Sequence, residues 1–214
     1  MEAPAIRPVP KPKRRPVRPR RDLPENTRER LVAAAAAVFN RDGYHGTDSN
    51  RLARAAGYAP ATFYKHFADK REILLAAYES WVTAEWQAIG AALRSAAGPA
   101  ERAERIVALV LEHHRRWKGL RASLRALVAT DPVVRRFHRA QRTRQLDLLA
   151  GMRSSPRGKA GAAARVDDAL MLFALERTLD AVAEGETDAL GLDLDVVLER
   201  LRGMVLASLH PAEA

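Results

Sequence analysis

Residues 48–70, DSNRLARAAGYAPATFYKHFADK, constrain this chain more than any other stretch. Asp48 and Ser49 are helix-capping residues just ahead of Leu52, Ala53, Ala55 and Ala56, and Gly57 stands where such a helix would end. Pro60 suits the first turn of a second helix, where its missing N–H is no loss. That helix, expected over residues 61–67, buries Phe63 and Phe67 four residues apart. Its other positions carry Thr62, Tyr64, Lys65 and His66, donors that can meet phosphates and base edges, while Pro60 and Ala61 suit apolar contact with thymine methyl groups. Helix, tight turn and donor-bearing helix together make a helix-turn-helix, whose second helix lies in the major groove.

The rest of the chain is compatible only with more helix. It is rich in Ala, Leu and Arg, and no segment alternates apolar and polar residues with a period of two, so an all-α fold is expected. Cysteine is absent, which excludes disulfides, thiolate metal sites and a cysteine nucleophile. No apolar run reaches the length of a membrane span and no apolar signal core opens the chain, so a cytoplasmic protein without membrane contact is expected. The net charge of +10 is uneven: residues 1–21 hold eight Lys/Arg against one Glu, so seven of those ten charges sit there. Seven prolines between Pro4 and Pro24 forbid a regular helix, and residues 1–23 are expected to form an extended basic arm. Such an arm either follows phosphates beside the helix-turn-helix or is a solvated tail; the sequence leaves both open.

A first helix is expected over residues 24–41, with Leu31, Ala34, Ala35, Val38 and Phe39 as its buried stripe. Thr47, Ser49 and Asn50 fall near the N-terminus of the next helix, where backbone N–H groups favour a phosphate. A long helix over residues 69–93 is capped by Asp69, and Gly98-Pro99 breaks the chain after it. Further helices are expected over 100–118 and 120–129, separated by Gly119, and from Pro132 past Leu149, followed by a polar loop over 153–161. Two helices over 162–184 and 194–209 close the chain.

From Thr27, the residues TRERLVAAAAAVFNRDGYHGTDSNRLARAAGYAPATFYKHFADKREILLAAY resemble the N-terminal DNA-binding domain of the TetR/AcrR family of bacterial transcription regulators. The markers are Phe39…Gly43-Tyr44…Thr47, Ala53…Ala56-Gly57, Thr62-Phe63-Tyr64…His66-Phe67 and Lys70. The resemblance implies a nine-helix architecture: a three-helix DNA-binding domain over 24–70 and a larger helical effector-binding and dimerisation domain over 71–214. It implies phosphate contacts from Tyr64, His66 and Lys70, and base-edge or phosphate contacts from Thr62 and Lys65. Tyr58 departs from the small residues usual there. It also implies a homodimer formed by the last two helices, which would read a palindromic operator in double-stranded DNA. An effector pocket between the middle helices is implied as well, with Trp86, Ile89, His113, Trp117, Leu124, Phe137, Met152, Met171 and Phe173 as candidate lining residues. Their aromatic and thioether character points to a small apolar or amphipathic effector.

Other chemistries lack support in the residues. His113 and His114 project about 100° apart on a helix and cannot hold one metal together. No phosphate-binding glycine loop, zinc pattern or nucleophile motif is present, so neither a catalytic residue nor a cofactor is assigned and an enzyme is not expected. The acids Asp167-Asp168 and Glu176…Asp180 read as a solvated face paired with Arg165 and Arg177. The sequence therefore points to a homodimeric, ligand-responsive repressor. The alternatives are the same fold without a small-molecule effector, or an activator or architectural DNA binder.

Overall fold

The computed structural model describes residues 24–95, 97–152 and 162–209; the basic arm over 1–23 and the loop expected over 153–161 lie outside the described residues, as does the side chain of Met152. The elements are α1 Pro24–Asp42, α2 Ser49–Ala55, α3 Pro60–Tyr64, α4 Lys70–Leu93, α5 Pro99–Arg116, α6 Lys118–Thr130, α7 Pro132–Met152, α8 Ala162–Glu184, α9 Glu186–Ala189 and α10 Leu194–Leu209. Every regular element among the described residues is a helix. Ten replace the expected nine because the single turn α9 interrupts the connection between the last two long helices.

Local chemistry sets the first three helices. The Asp48 carboxylate accepts the Arg51 N–H at 2.8 Å and starts α2. Gly57 reverses the chain at φ +81°, a conformation that a side chain would strain. Extended Ala59 then delivers Pro60 to the first turn of α3. α3 ends at Tyr64, earlier than expected: the N–H groups of Lys65 and His66 turn back to carbonyls three residues before them, which tightens the chain before Phe67. Phe63 and Phe67 meet at 5.8 Å and are fully buried with Leu31, Phe39 and Leu52.

α4 begins where Asp69 accepts the Glu72 N–H, and its 24 residues make a rod of about 36 Å. α1 lies against both α4 and α6. The break between α5 and α6 falls at Trp117, and Gly119, expected to be the breaker, stands inside the first turn of α6. Its role is to let α1 approach: a Cβ there would lie 2.0 Å from the Asn40 carbonyl oxygen. Asn40 then binds both helices, its Oδ1 accepting the N–H groups of Gly119 (3.0 Å) and Leu120 (3.2 Å) and its Nδ2 donating to the Arg116 carbonyl (2.8 Å). One amide thus satisfies the open ends of two helices at once. Nearby, Ser123 Oγ accepts the Tyr44 N–H at 3.1 Å, and Arg71 donates to Asp131, the residue that caps α7.

The contact at Gly119 is backbone against backbone, so neither side can rotate away. Gly119→Ala is expected to lower stability by about 1–3 kcal/mol, as overpacking does. The corresponding fall in melting temperature is roughly 2–10 °C for a chain of this size. A melting temperature equal to or above that of the parent chain would show that α1 and α6 are not seated this closely.

Candidate nucleic-acid interface and ligand cavity

The outer surface of α2 and α3 carries most of the residues expected to meet DNA. Asn50, Ala61, Tyr64 and Lys65 are exposed, Tyr64 by 56%, while Ser49, Pro60, Thr62 and His66 are half-buried beside them. Phe63 and Phe67 hold the opposite side of this turn in the core, so the donor-bearing side has nowhere to go but outward. Two of the expected residues turn inward. Thr47 is buried, and the Lys70 ammonium donates to the carbonyls of Tyr44 (2.8 Å) and Thr47 (2.9 Å) while lying 4.2 Å from the Tyr44 ring centre. Both residues shape the α1–α2 link, and the reason is local: Gly43 and Gly46 turn the chain so that the link's carbonyls face the start of α4. Arg51 braces the same link through Gly46 and Asp42. Tyr58, the departure from the family pattern, lies under the Arg30 guanidinium at 5.2 Å.

Behind this surface, α4, α5, α6, α7 and α8 enclose a cluster of charge. Asp168, Glu176 and Asp180 are buried, which corrects their reading as a solvated face. Arg165 and Arg177 pair instead with Asp147 and Glu186. The buried partners come from distant helices. Arg121 donates to both Asp180 oxygens, from Nε at 2.7 Å and from Nη2 at 3.0 Å, and Arg142 pairs with Glu176. The His114 ring is fully buried with Nδ1 3.0 Å from Asp180 Oδ1.

Burial works to raise the Asp180 carboxyl, but His114 and Arg121 overcome it and hold it well below the usual range. Glu176 is likewise lowered against its burial, by Arg142 first. Burial pushes His114 below the usual imidazole range, partly opposed by Asp180. Glu85 alone goes the other way: burial, then the neighbouring Glu176 charge, push it up to about 8, with Arg121 and Arg142 opposing.

Glu85 and Glu176 close the inner end of an apolar cavity of about 50 Å³. Among the residues expected to line a pocket, Trp86, Ile89 and Met171 do so, joined by Ile106 and Val110 from α5, Leu172 and Leu175 from α8, and Val205 from α10. The other expected lining residues lie elsewhere. His113 and Trp117 border a separate groove against α1. Leu124 is core, Phe137 meets the edge of Tyr78 at 6.2 Å, and Phe173 is 49% exposed with the Arg142 guanidinium 5.7 Å above its ring. Helical spacing identifies the apolar positions but cannot say which of several inward faces borders a gap. Among the described residues no group of three His, Asp or Glu side chains is placed to hold a metal ion, and no helix is long and apolar enough to cross a membrane.

An N-terminal helix-turn-helix seated on an all-helical body defines the class of this molecule. Residues 31–77 match the sequence family described as "Bacterial regulatory proteins, tetR family". The chain is 30% identical over 116 residues to the HTH-type transcriptional repressor AcnR of Corynebacterium glutamicum, a match that covers 53% of this chain and 57% of the repressor, so the chain spans about half the length of that relative. Its fold is that of a TetR-family transcriptional regulator from Streptomyces coelicolor (TM-score 0.61, 22% identity, 86% of this chain and 95% of that one). It is also that of the transcriptional regulator FadR of Bacillus subtilis, solved with stearoyl-CoA (TM-score 0.62, 17% identity, 85% and 99%). Over residues 31–77 the chain is thus similar to the TetR family, and beyond them it shares the fold of these regulators.

Glu85 makes the stability of this body depend on pH. The native state holds the Glu85 proton more tightly than the unfolded chain does. Its contribution is therefore complete below the ordinary Glu range near 4.3 and is lost as pH rises to about 8. Asp180 and Glu176 act in the opposite sense, contributing above the ordinary carboxylate range and losing that contribution on acidification. Between pH 6 and 8 the parent chain is expected to lose roughly 5–10 °C of melting temperature relative to Glu85→Gln. Parallel curves for the two proteins would contradict a protonated, buried Glu85.

Proposed function

We propose that this protein is a homodimeric, sequence-specific DNA-binding transcription regulator, acting as a repressor that a small apolar or amphipathic molecule releases from a palindromic operator. The observation that carries the DNA-binding reading is the outer side of α3 and the turn after it, where Tyr64 and Lys65 project from a backbone pinned by Phe63 and Phe67. Thr62 reads base edges, and Tyr64, Lys65 and His66 meet phosphates. Phosphate contacts position the domain and base contacts specify the site.

Apolar residues left exposed on the last helices support dimerisation. Val166, Leu170 (61% exposed) and Phe173 on α8 stand out with Val196 and Met204 on α10. A surface of this kind on a globular body marks an interaction site. Two-fold pairing through it gives two recognition helices, suited to half-sites about 34–36 Å apart. The cavity next to Glu85 is the effector site in this reading. An effector works only if it binds the state that cannot hold DNA more tightly than the state that can. α6 offers a route between them, since Arg121 reaches the charge cluster while Gly119 and Ser123 hold the end of α1 and its link. The narrowness of the cavity, about 50 Å³, favours a second reading in which the same regulator works without a small molecule.

Selection of bound DNA from a random pool at near-physiological salt tests the central claim, with enrichment of one palindrome as the expected result. On that site, Thr62→Ala is expected to relax preference at one or two base positions, by about 1–3 kcal/mol each. Lys65→Ala should instead weaken all sequences alike and flatten the salt dependence by about one unit of slope. Equal losses on specific and random DNA for Thr62→Ala would contradict its assigned role. Leu170→Asp with Phe173→Asp is expected to yield a monomer by light scattering that retains its helical content; an unchanged mass would place the interface elsewhere.

A further inference from the structure

The inner end of the cavity holds a carboxyl oxygen to which the protein supplies no donor. Glu85 is 4% exposed, and its Oε1 has no hydrogen-bond partner among the described residues. The arginines around it are engaged elsewhere. Arg142 on α7 pairs with Glu176, and Arg121 on α6 is spent on Asp180, with Glu176 at 3.9 Å. Arg125 pairs with Asp180 and with the exposed Glu184 at the rim. His114 on α5 turns Nδ1 towards Asp180 Oδ1, 3.0 Å away. Its Nε2 stands 4.0 Å from Glu85 Oε1, beyond hydrogen-bond range. Glu85 Oε1 therefore lacks a donor, and three buried carboxyl groups (Glu85, Glu176, Asp180) face the buried Arg121 guanidinium and the half-buried Arg142.

The wall beyond Glu85 is apolar. It follows α4 from Glu85 to Leu93, eight residues or about 12 Å, with Ile106 and Leu172 facing it. We propose that this cavity takes an amphipathic amine: an ammonium group that donates to Glu85, carried on an apolar chain whose entry parts the side chains along α4 towards Leu93 and widens the gap of about 50 Å³. The proposal rests on the reading of this cavity as the effector site and adds the chemical class of the ligand. The ammonium supplies both the missing donor and the missing positive charge, at a depth where a charge without a partner is strongly disfavoured. A carboxylate head would be placed against the ionised Glu176 and is disfavoured relative to an ammonium. Because Glu85 is pushed up to about 8, it is largely protonated at pH 7 in the empty cavity. Arrival of a cation favours its ionised form, so binding releases that proton to solvent.

Calorimetry on the full chain at pH 7 tests this with octylamine (an ammonium ion at that pH), octanol and octanoate, each in two buffers of different ionisation enthalpy. Octylamine is expected to bind at least ten-fold more tightly than octanol or octanoate, with close to one proton released per ligand. Glu85→Gln should reduce amine affinity at least ten-fold, remove the proton release and leave octanol binding within two-fold. The comparison of three head groups on the parent chain stands even if the variant does not fold. Octanoate binding as tightly as octylamine, an unchanged amine affinity in Glu85→Gln, or no binding of any of the three overturns the proposal. Operator binding, followed in the same solutions on the selected site, separates this proposal from the reading it rests on. Glu85-dependent amine binding that leaves the operator complex intact supports the ligand class and removes the effector role. Release of the operator by octanol or octanoate, with no preference for the amine, does the reverse.

Discussion

The body of this protein is assembled around the pair made by Arg121 and Asp180. Removing a carboxylate and a guanidinium from water costs several kcal/mol per ion, and only close, multiple contacts offset it. Here the guanidinium meets both carboxylate oxygens at 2.7 and 3.0 Å, His114 approaches the same carboxylate, and the guanidinium lies 5.0 Å from the Trp81 ring centre. These contacts come from four different helices. An apolar interface tolerates a small slide, whereas this one does not, because a displaced ion would be left buried and unpaired. The Glu176–Arg142 pair adds α7 to the same constraint. The contribution of the cluster is therefore register more than net stability: it fixes where α8 lies against α5, α6 and α7, and so where the cavity beside Glu85 opens.

How much of this was legible depended on sequence distance. The helix-turn-helix was readable because its causes are local: Asp48 caps, Gly57 turns, Pro60 restarts, and Phe63 and Phe67 point inward, all within a few turns of chain. The limits of α8 and α10 coincide with the expected ones, since breakers and polar residues bound them. The acids of α8 were misread because a carboxylate on a helix looks the same whether it faces water or an arginine more than fifty residues away. Gly119 was misread in a related way. The sequence records a missing side chain, but the Asn40 carbonyl that fills the space belongs to another helix. Lys70 and Thr47 were carried over as DNA contacts by motif position, while the carbonyls that capture Lys70 depend on how the preceding link turns.

The lining of the cavity shows the same limit on a finer scale. Trp86, Ile89 and Met171 border it while Leu124 and Phe173 do not, although all five are apolar residues on amphipathic helices. Which stripe of a helix meets a gap is decided by the packing of its neighbours, and a single helix does not contain that information. Glu85 was passed over for the opposite reason. One acid in a long helix is ordinary, and its lack of a donor exists only once His114, Arg121 and Arg142 have taken their places around it.

The seat of α1 on α6 has a consequence for how this molecule divides into parts. Along the chain, the helix-turn-helix ends where α4 begins, and a cut there would seem to free it. In space, the end of α1 and the link after it rest on Gly119, Leu120 and Ser123, which lie beyond all of α4 and α5. A chimera joining residues 24–70 to another regulator's body would preserve the covalent joint and discard the socket. The unit that can be exchanged intact is discontinuous: the N-terminal helices together with the first turns of α6, transplanted as a matched pair.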